Sequence, residues 1–397
     1  MPDHAPLRVT AVAVSSQLGG TERVLIDLAR HAADLGLALR VLVPLDGPLL
    51  PLLARHDVAT AIVPASDALL KSSQQRGRLW SVLPALAGLW KWSARLKRHE
   101  FFRSADLVYT TGFKSHLASA LAHKRPLVWH LHEFPPTLTG PVWRVLARML
   151  PDALIANSRT VSDRWAIGKA TATTPITVRN GVDVEVFRPR PQSKWIHDRL
   201  GLEHNRKLIG MPAVLARWKG HLEVIEAFRS VQDECADTDL VIVGGTIYDT
   251  LSETRYGEEL ERVIRQHEAH TRVHLLPFQR DIERVYPELS LVLHYSLRSE
   301  PFGKVIVEAM ASGVPVLAAD EGGPREILGP QPAAGWLVEP RNPAALASAM
   351  RDVLQRPQSE LDAAGAAGRA RVESHYSSRR FASNLADTFR RIAGGMA

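Results

Sequence analysis

Short apolar runs alternate with segments of helical periodicity along almost the whole chain. The first run, Leu7 to Val14, is β-branched and uninterrupted, as expected of a strand buried on both faces of a parallel sheet. The next segment carries Val24, Leu25, Leu28 and Ala32 at helical spacing and predicts an amphipathic helix. Because the same alternation fills both halves of the chain, we predict an α/β protein with two facing domains and ligands bound at the carboxyl ends of the strands.

Eleven further apolar runs are predicted to form strands. They cover residues 39–43, 59–63, 106–110, 126–131, 153–156, 207–211, 240–243, 273–276, 291–295, 314–319 and 335–338.

The bulk composition fits a globular protein with a basic surface. The chain has 397 residues, 45% of them hydrophobic and 23% charged, which is ordinary for such a protein. Its net charge of +7 favours anionic partners such as nucleotides, anionic lipid or nucleic acid. A single cysteine excludes an internal disulfide and suits a reducing compartment. No apolar run reaches the roughly 18 residues of a spanning helix, and the amino terminus is typical of a strand rather than a signal peptide. We expect a cytoplasmic location, compatible with contact at the inner face of the cell membrane.

The most informative stretch runs from Leu297 to Leu328 and is predicted to form loop, helix, strand, loop and helix. Two carboxylates, Glu300 and Glu308, lie eight positions apart, and Pro-Phe-Gly follows the first. Gly303 lets the backbone come close to a ligand, and a helix begins after it. The unpaired N–H groups at that helix start and the helix dipole together favour an anion such as a pyrophosphate. Glu308 can accept hydrogen bonds from a ribose, and Glu300 from a different polyol.

Several features of this stretch agree in order with one known family. Glu-x7-Glu with Pro-Phe-Gly, then Ala-Ser-Gly-x-Pro-Val and Gly-Gly-x-x-Glu-Ile, resembles the retaining glycosyltransferases of family four, which have the GT-B fold. The resemblance implies two Rossmann-like domains facing across a cleft, with a terminal helix that crosses back to the first domain. It also implies a nucleotide-sugar donor. The donor-binding residues implied in this way are Gly19, Gly20, Phe302, Gly303, Lys304, Val305 and Glu308, and Glu300 is assigned to the catalytic set.

The domain limits follow from the resemblance and from composition. An Asn-Gly-Val-Asp stretch that leads into the interdomain linker in the family occurs here at Asn180, and the polar, proline-rich RPRPQSK comes after Phe187. We therefore predict an acceptor-binding domain at 1–187, a donor-binding domain at 188–375 and a crossover helix at 376–397. Four apolar side chains at helical spacing support that last helix, namely Phe381, Leu385, Phe389 and Ile392.

In the first half, the resemblance implies two polar features at strand ends. Gly19, Gly20 and Glu22 match a Gly-Gly-x-Glu loop that borders the phosphates and the acceptor, although such a loop can also be only a tight turn. His132 best matches a histidine that faces the transferred sugar, and His130 is the second choice. A metal site at these histidines is an alternative, but no third ligand is evident from the sequence.

In the second half, a basic turn matches the family's phosphate-binding residues. Lys219 matches directly. The family's arginine, some five residues earlier, corresponds either to Val214 in an ungapped alignment or to Arg217 in a gapped one. Two cations near a helix start suit phosphate, so Lys219 and Arg217 are predicted to be catalytic.

Residues 71–103 are strongly basic and rich in tryptophan. The segment contains eight cations and only one acidic residue, Glu100, and it also contains Trp80, Trp90 and Trp92. From about Pro84 it predicts a basic amphipathic helix, which either lies on an anionic membrane or packs as an ordinary surface helix. No nucleic-acid-binding motif accompanies it, so we expect no nucleic-acid partner.

The resemblance and the residues together predict a retaining glycosyltransferase. Its donor is a nucleoside-diphosphate sugar, its acceptor a saccharide or a lipid-linked hydroxyl, and its product a surface polysaccharide or glycolipid. The leaving phosphate is stabilised by the helix start and by cations, so no cofactor and no metal are expected. The alternatives are another GT-B enzyme, such as a nucleotide-sugar epimerase, and a non-catalytic protein that binds a nucleotide sugar or a membrane.

Overall fold

The computed structural model describes residues 5–70, 82–122, 126–166, 174–245, 251–266, 272–329 and 334–395. The chain divides into two compact units. The first unit contains Met1–Gly181 together with Ser378–Ala397, and the second contains Val182–Ser377.

The first unit is a parallel sheet of seven strands with helices on both faces. Its strands are β1 Leu7–Val12, β2 Leu37–Val43, β3 Ala59–Ile62, β4 Leu107–Thr110, β5 Leu127–Leu131, β6 Ala153–Ala156 and β7 Ile176–Thr177, in the order β3-β2-β1-β4-β5-β6-β7. Its helices are α1 Gly20–Ala32, α2 Leu49–Ala54, α3 Asp67–Leu70, α4 Val82–Arg98, α5 Glu100–Arg103, α6 Phe113–Leu121, α7 Gly140–Met149 and α8 Arg159–Trp165.

The second unit repeats this plan with a parallel sheet of six strands. Its strands are β8 Lys207–Pro212, β9 Thr238–Gly244, β10 Val273–Pro277, β11 Leu291–His294, β12 Val316–Ala319 and β13 Trp336–Val338, in the order β10-β9-β8-β11-β12-β13. Its helices are α9 Trp195–Leu200, α10 His221–Val231, α11 Leu251–Arg265, α12 Lys304–Ala311, α13 Gly323–Leu328, α14 Pro343–Leu354 and α15 Gln358–His375. The predicted α/β class and all twelve predicted strands are confirmed, with strand ends within about two residues of the expected positions.

Most strands contribute to two cores because their side chains alternate between the two faces of the sheet; β3 and β7, at the two edges of the first sheet, are the exceptions. In β1, Val9 and Ala11 lie in one hydrophobic cluster while Val12 lies in another. In β9, Leu240 and Val241 divide in the same way between the two clusters of the second unit. This two-sided burial explains why the strands are continuous apolar runs rather than alternating ones.

The last helix, α16 Ser378–Ala393, belongs to the first unit. All four side chains that suggested a helix here, Phe381, Leu385, Phe389 and Ile392, are buried in the cluster that also contains the inner residues of α1 and β1. The chain therefore leaves the first unit at Gly181 and returns to it at Ser378.

The boundary between the units lies at Gly181–Val182 rather than at the predicted residue 187. Val182 and Phe187 are both buried in a cluster of the second unit, and the Val182 N–H donates to the Tyr376 carbonyl at 2.8 Å. Arg369 of α15 adds hydrogen bonds to the carbonyls of Val184 and Phe187. The segment 182–187 is thus fixed to the second unit, and the Pro-rich sequence after it does not mark the division.

Both sheets reverse their strand order at one point, and this places loops side by side. In the second sheet the change occurs between β8 and β11, so the loops that follow these two strands lie at the same edge. In the first sheet the change occurs between β1 and β4. Open α/β sheets bind their ligands at such switch points, which directs attention to residues 213–220 and 295–303.

Arg369 offers a test of how the segment 182–187 is anchored. Its guanidinium donates to the carbonyls of Val184, Phe187 and Ala311 at 2.7–2.9 Å. Because Arg369→Ala leaves three carbonyls without a charged donor, we expect a loss of about 2–3 kcal/mol in the free energy of unfolding, measured by urea denaturation. The control Arg265→Ala, which removes an exposed ion pair with Glu261, should cost less than about 0.5 kcal/mol. Equal losses in the two variants would contradict this anchoring role.

Candidate active site

The switch point of the second sheet brings a lysine and a carboxylate together. Lys219 follows β8 in a 3-10 turn, and Glu300 follows β11. The Lys219 ammonium donates to Glu300 Oε2 at 2.7 Å, although the two residues are 81 positions apart in sequence. Both side chains are only 13% exposed, so this is an ion pair largely withdrawn from water.

Two further donors converge on the same carboxylate oxygen. The Ser296 hydroxyl donates to Glu300 Oε2 at 3.2 Å, and His294 Nε2 lies 3.3 Å from it. Burial alone would raise the pKa of Glu300, but the Lys219 ammonium and His294 outweigh burial and hold this pKa well below its usual range. Glu300 is therefore an ionised acceptor at neutral pH and has no proton to donate.

The backbone explains why the two loops meet so closely. Gly220 ends the lysine turn with a φ of 79°, and a Cβ there would lie 2.2 Å from the carbonyl oxygen of Tyr295. The Leu297 N–H donates to the Trp218 carbonyl at 2.7 Å. A side chain at position 220 would push the loops apart, so the glycine is required for the distance between Lys219 and Glu300.

The Gly322–Gly323 pair at the start of α13 packs against the backbone of Glu300 and Phe302. The Gly323 N–H donates to the Glu300 carbonyl at 2.8 Å. A Cβ at Gly322 would lie 2.4 Å from the same carbonyl oxygen, and one at Gly323 would lie 1.9 Å from the Phe302 carbonyl oxygen. The co-occurrence of Pro-Phe-Gly and Gly-Gly in the sequence therefore has a steric cause, because the backbone at Glu300 and Phe302 leaves no room for a side chain at Gly322 or Gly323.

The helix α12 begins directly after this packed segment. Gly303, at a φ of 103°, is the N-cap residue of α12, and no side chain caps the helix start. The backbone N–H groups of the first turn, which includes Lys304 and Val305, point along the helix axis towards the loop that carries Glu300. This geometry fits the predicted anion site. The Phe302 ring, in contrast, is buried in the core of the second unit, so only its backbone is available to a ligand there.

Glu308 lies in the same helix and is almost completely buried. The Tyr286 hydroxyl donates to Glu308 Oε2 at 2.8 Å, which occupies one oxygen of this carboxylate. Tyr286 is itself fully buried in the core. Glu308 thus joins the predicted site to the core, and contact with a ribose stays a prediction.

Arg217 is directed towards a different partner from Lys219. Its guanidinium pairs with Glu259 on α11 and lies 5.1 Å from the centroid of the Tyr256 ring. The side chain is 66% exposed. In this structure Arg217 takes no part in the Lys219–Glu300 network, because its partner is Glu259. The predicted contact with a phosphate needs Arg217 to leave Glu259.

In the first unit, the Gly-Gly loop forms the amino-terminal cap of α1. Glu22 is buried, and its Oε2 accepts hydrogen bonds from the Gly19 N–H at 3.2 Å and the Thr21 hydroxyl at 2.9 Å. Burial raises the pKa of Glu22 despite these bonds. A Cβ at Gly19 would lie 2.8 Å from that carboxylate oxygen, whereas a Cβ at Gly20 would meet nothing within 4 Å. A side chain at position 19 would displace the Glu22 carboxylate from the cap, and packing within the protein gives no reason for a glycine at position 20.

The two candidate histidines occupy different environments. His130, inside β5, is fully buried, and its Nδ1 contacts the Tyr109 hydroxyl. Burial, together with the neighbouring His132 and His116, holds the pKa of His130 well below its usual range, so it is neutral. His132 follows the strand and is partly exposed, with its ring centroid 4.0 Å from that of His130. His132 is thus the more exposed of the two, although its Nε2 is buried.

Sequence reasoning missed His294, Ser296 and Tyr286. All three are polar side chains at buried positions, and two of them lie at or just after the end of the apolar strand β11. For His294 and Ser296, a polar residue at the carboxyl end of a predicted parallel strand was the sequence signal that could have indicated a site residue. Among the described residues no group of three histidine, cysteine or acidic side chains could hold a metal ion.

Comparisons with known proteins identify two glycosyltransferase models in the chain. The model named Glycosyltransferase Family 4 matches residues 18–186, and the model named Glycosyl transferases group 1 matches residues 193–371. The first model covers most of the first unit and extends past Gly181 into the second, and the second model lies within the second unit.

Two curated relatives illustrate the sequence similarity. The chain is 24% identical over 220 residues to Spore coat protein SA of Bacillus subtilis, covering 54% of this chain and 58% of that protein. It is 29% identical over 248 residues to the GDP-mannose-dependent alpha-(1-6)-phosphatidylinositol monomannoside mannosyltransferase of Mycolicibacterium smegmatis, covering 60% of this chain and 63% of that protein. The matches thus span less than two thirds of the length of these relatives.

Solved structures extend the similarity over the whole chain. The crystal structure of Anabaena Alr3699/HepE in complex with UDP and glucose matches with a TM-score of 0.81 and 25% identity, covering 97% of this chain and 99% of that one. Sucrose-phosphate synthase from Thermosynechococcus elongatus matches with a TM-score of 0.77 and 17% identity, covering 98% of this chain and 100% of that one, which shows the fold alone.

The buried ion pair predicts a pH-dependent effect of Lys219→Met. Because the pKa of Glu300 is depressed in the folded protein, the pair stabilises the fold above the unfolded-state pKa of about 4.3, and this contribution is lost as the pH falls towards the folded-state pKa. We expect Lys219→Met to lose about 3 kcal/mol in the free energy of unfolding at pH 7, and the difference from wild type to shrink below about pH 4. Urea denaturation at a series of pH values measures both.

Lys207→Met is the matched control, since it removes the exposed ion pair with Asp237. It should cost less than about 1 kcal/mol at any pH. A difference between wild type and Lys219→Met that stays constant down to pH 3 would show that Glu300 does not carry the effect.

Proposed function

Because the chain belongs to the glycosyltransferases of the GT-B fold, we propose that it moves a sugar from a nucleoside-diphosphate sugar to an acceptor hydroxyl. A family 4 domain is followed by a group 1 domain. The transfer is proposed to retain the anomeric configuration. The observation that carries this proposal is the Lys219–Glu300 pair at the switch point of the second sheet, directly before the start of α12.

The second unit is assigned to the donor. The diphosphate occupies the start of α12, where the backbone N–H groups and the helix dipole favour negative charge. The Lys219 ammonium adds a cation close by and can shift from Glu300 towards the charge that develops on the leaving phosphate. Glu308 contacts the ribose of the nucleotide. We propose that these groups stabilise the leaving diphosphate without a metal ion or any other cofactor.

Glu300 is assigned to the transferred sugar. Its ionised carboxylate accepts hydrogen bonds from sugar hydroxyls, and its negative charge favours the oxocarbenium-like transition state of glycosyl transfer. Because Glu300 is ionised, it does not serve as a general acid. Its Oε2 is held by Lys219, Ser296 and His294, which leaves Oε1 for the substrate. A contact of His132 with the transferred sugar stays a prediction from the family resemblance.

Retention is proposed to arise because the acceptor hydroxyl attacks the sugar on the same face from which the diphosphate leaves. The leaving phosphate assists this attack. Neither Glu300 nor His132 is given the role of nucleophile, since the first is held by three donors and the second is assigned to hydrogen bonding. Proton NMR of the product, read at the anomeric coupling, distinguishes retention from inversion.

The donor and acceptor classes are supported by relatives. Anabaena Alr3699/HepE binds UDP and glucose, and also UDP-glucose, in crystals. The Mycolicibacterium smegmatis relative is a mannosyltransferase named for GDP-mannose and a phosphatidylinositol mannoside. We propose that the acceptor is a saccharide or a lipid-linked hydroxyl, and that the product is a glycolipid or a surface polysaccharide made at the cytoplasmic face of the membrane.

Membrane contact is proposed through the basic segment 71–103, of which residues 82–103 are described. Trp92 is not part of such a contact, because it is buried and its Nε1 donates to the Val63 carbonyl at 2.9 Å. Trp90 is exposed on the opposite side of α4. Trp80 lies outside the described residues. No helix in the described part of the chain is long and apolar enough to cross a bilayer.

Calorimetric titration with UDP, GDP and ADP, in the presence of a chelator, tests the donor site. We expect one diphosphate to bind with a Kd in the micromolar range, and Glu308→Gln to weaken this binding at least tenfold, or about 1.4 kcal/mol, because an amide accepts the ribose hydrogen bonds less strongly. Tyr286→Phe is the control, since it removes the internal hydrogen bond to Glu308 and keeps the carboxylate. It should change the Kd less than threefold.

Two outcomes would contradict these assignments. An equal loss of affinity in Glu308→Gln and Tyr286→Phe would show that Glu308 acts by supporting the core. Absence of binding to all three diphosphates and to their sugar conjugates would favour a non-catalytic protein over an enzyme.

Gly20 tests the assignment of the Gly-Gly loop to substrate contact. Since a Cβ there would meet nothing within 4 Å, Gly20→Ala and Gly20→Val should leave the free energy of unfolding within about 0.5 kcal/mol of wild type. If a substrate approaches this backbone, kcat/KM should fall at least tenfold in Gly20→Val, measured with the donor found by calorimetry. Gly257→Ala, where a Cβ would make only an ordinary contact 3.8 Å from Leu215 Cδ1, should leave kcat/KM unchanged. Full activity of Gly20→Val would remove Gly20 from the site.

A further inference from the structure

His294 is a buried histidine in direct contact with the carboxylate of the candidate site. It is the last residue of β11 and is 5% exposed. Its Nε2 lies 3.3 Å from Glu300 Oε2, the oxygen that also accepts from the Lys219 ammonium at 2.7 Å. A charged pair and an ionisable ring thus share one oxygen in a site largely closed to water. The proposed function uses this ring only as one of three donors to Glu300.

The position of the hydrogen between the two groups follows from the ionised state of Glu300. Because the pKa of Glu300 is held well below its usual range, its carboxylate can only accept a hydrogen bond. The hydrogen therefore belongs to His294 Nε2, whichever charge the ring carries. The two charge states of the ring differ only at Nδ1, which is bare in the neutral ring and carries the second proton in the cation. Any change in the charge of His294 thus takes place at Nδ1.

The Nδ1 atom of His294 is buried and has no hydrogen-bond partner among the described residues. The neighbouring strands add no charge at this level of the sheet. Ala318 of β12 lies opposite His294, and Lys207, the single ionisable residue of β8, is at the other end of that strand. A proton on Nδ1 would therefore create a buried N–H without an acceptor, which the ring tolerates only beside a strong negative charge.

The helix that packs on this face of the sheet also leaves the ring without a charged contact. His294 points to the same side as Val292, because alternate residues of a strand share a face, and Val292 packs in one cluster with α12. The charged side chains of α12 are Lys304 and Glu308. Within the described part of the chain, neither forms a hydrogen bond or an ion pair with His294. The ion pair described above is therefore the charged group that the ring contacts.

The balance of charge at this oxygen depends on the position of Lys219. While Lys219 is on Glu300, one cation balances one anion, and a charged ring would add a second cation beside the ammonium. When Lys219 moves towards a diphosphate, as in the proposed function, Glu300 keeps only Ser296 and His294 as donors. A buried carboxylate without a cation is costly. The attraction between a carboxylate and an imidazolium in contact exceeds the cost of one buried N–H without a partner.

We propose that His294 takes up a proton when Lys219 leaves Glu300, so that binding of the nucleotide sugar is linked to the uptake of one proton. The proton comes from solvent and adds to Nδ1, while Nε2 continues to donate to Glu300. This inference rests on the proposed donor site. His294 is a positioning residue, because it keeps Glu300 ionised and in place. The ammonium compensates the charge of Glu300 before the donor binds, and the imidazolium does so afterwards.

Lys219→Met tests this exchange without any ligand, because it removes the ammonium permanently. Nitrogen NMR shifts of the imidazole, assigned by their absence in His294→Gln, report the charge of the ring. At pH 7.5 the cationic fraction of His294 should be at least about fivefold higher in Lys219→Met than in wild type. The control Lys207→Met removes an ammonium that pairs with Asp237 and should leave the ring as in wild type. An equal cationic fraction in wild type and Lys219→Met would overturn the proposal.

Calorimetric titration with UDP-glucose and GDP-mannose tests the link to binding. Both phosphates of these compounds are diesters, so any proton exchange near neutral pH comes from the protein. Titrations at pH 7.5 in phosphate and in Tris, whose ionisation enthalpies differ, give the number of protons taken up. We expect roughly 0.5–1 proton per bound donor in wild type and about zero in His294→Gln, whose amide can still donate to Glu300. Ser296→Ala removes another donor to the same oxygen and should keep the uptake.

The outcomes separate this inference from the proposed function. Proton uptake in wild type that disappears in His294→Gln, with binding retained, supports both. Binding without proton uptake, or equal uptake in wild type and His294→Gln, overturns the role of His294 and leaves the donor site intact. Absence of binding by both nucleotide sugars overturns the donor site and, with it, the proton-linked binding. If Lys219→Met does not fold, the calorimetry of wild type and His294→Gln decides alone.

Discussion

The contact between Lys219 and Glu300 is the constraint on which the candidate site depends. Two charges largely removed from water are tolerated only when they meet each other with good geometry and additional hydrogen bonds. Here one carboxylate oxygen receives three donors, and the other is left open. Close backbone packing at Gly220, Gly322 and Gly323 maintains this arrangement, since any side chain at these positions would separate the loops. The glycines thus contribute to the electrostatics of the site without touching a ligand.

The two units place their polar side chains in different electrostatic settings. The second unit holds fixed charges, with Glu300 ionised and Lys219 beside it. The first unit holds histidines that burial keeps neutral, as the lowered pKa values of His116 and His130 show. Because these two histidines are almost completely buried, they belong to the core of the first unit. A charged pair at the edge of a sheet and neutral histidines inside it thus reflect the same rule, that burial is compatible with charge only where a partner is supplied.

Much of this molecule could be predicted from the sequence because its strands are buried on both faces. Continuous apolar runs located twelve of the thirteen strands, and helical spacing located α16. The strand that was not predicted, β7, is only two residues long. The contacts that required the folded chain were those between distant residues. The partner of Arg217 is Glu259 on another helix, and nothing in the local sequence distinguishes that carboxylate from a phosphate. In the same way, Trp90 and Trp92 differ by only two positions, but one is exposed and the other is in the core.

The return of the chain to the first unit has a consequence for the order of folding. The second unit is a single continuous segment inserted into the first, so all of its strands and helices exist once Ser377 has been synthesised. The first unit still lacks α16 at that moment, so the cluster that contains the buried side chains of α1 stays incomplete until Phe381 to Ile392 follow. Since domains generally fold as units during synthesis, the inserted domain can reach its native state first. The half that begins the chain is then the last to close its core.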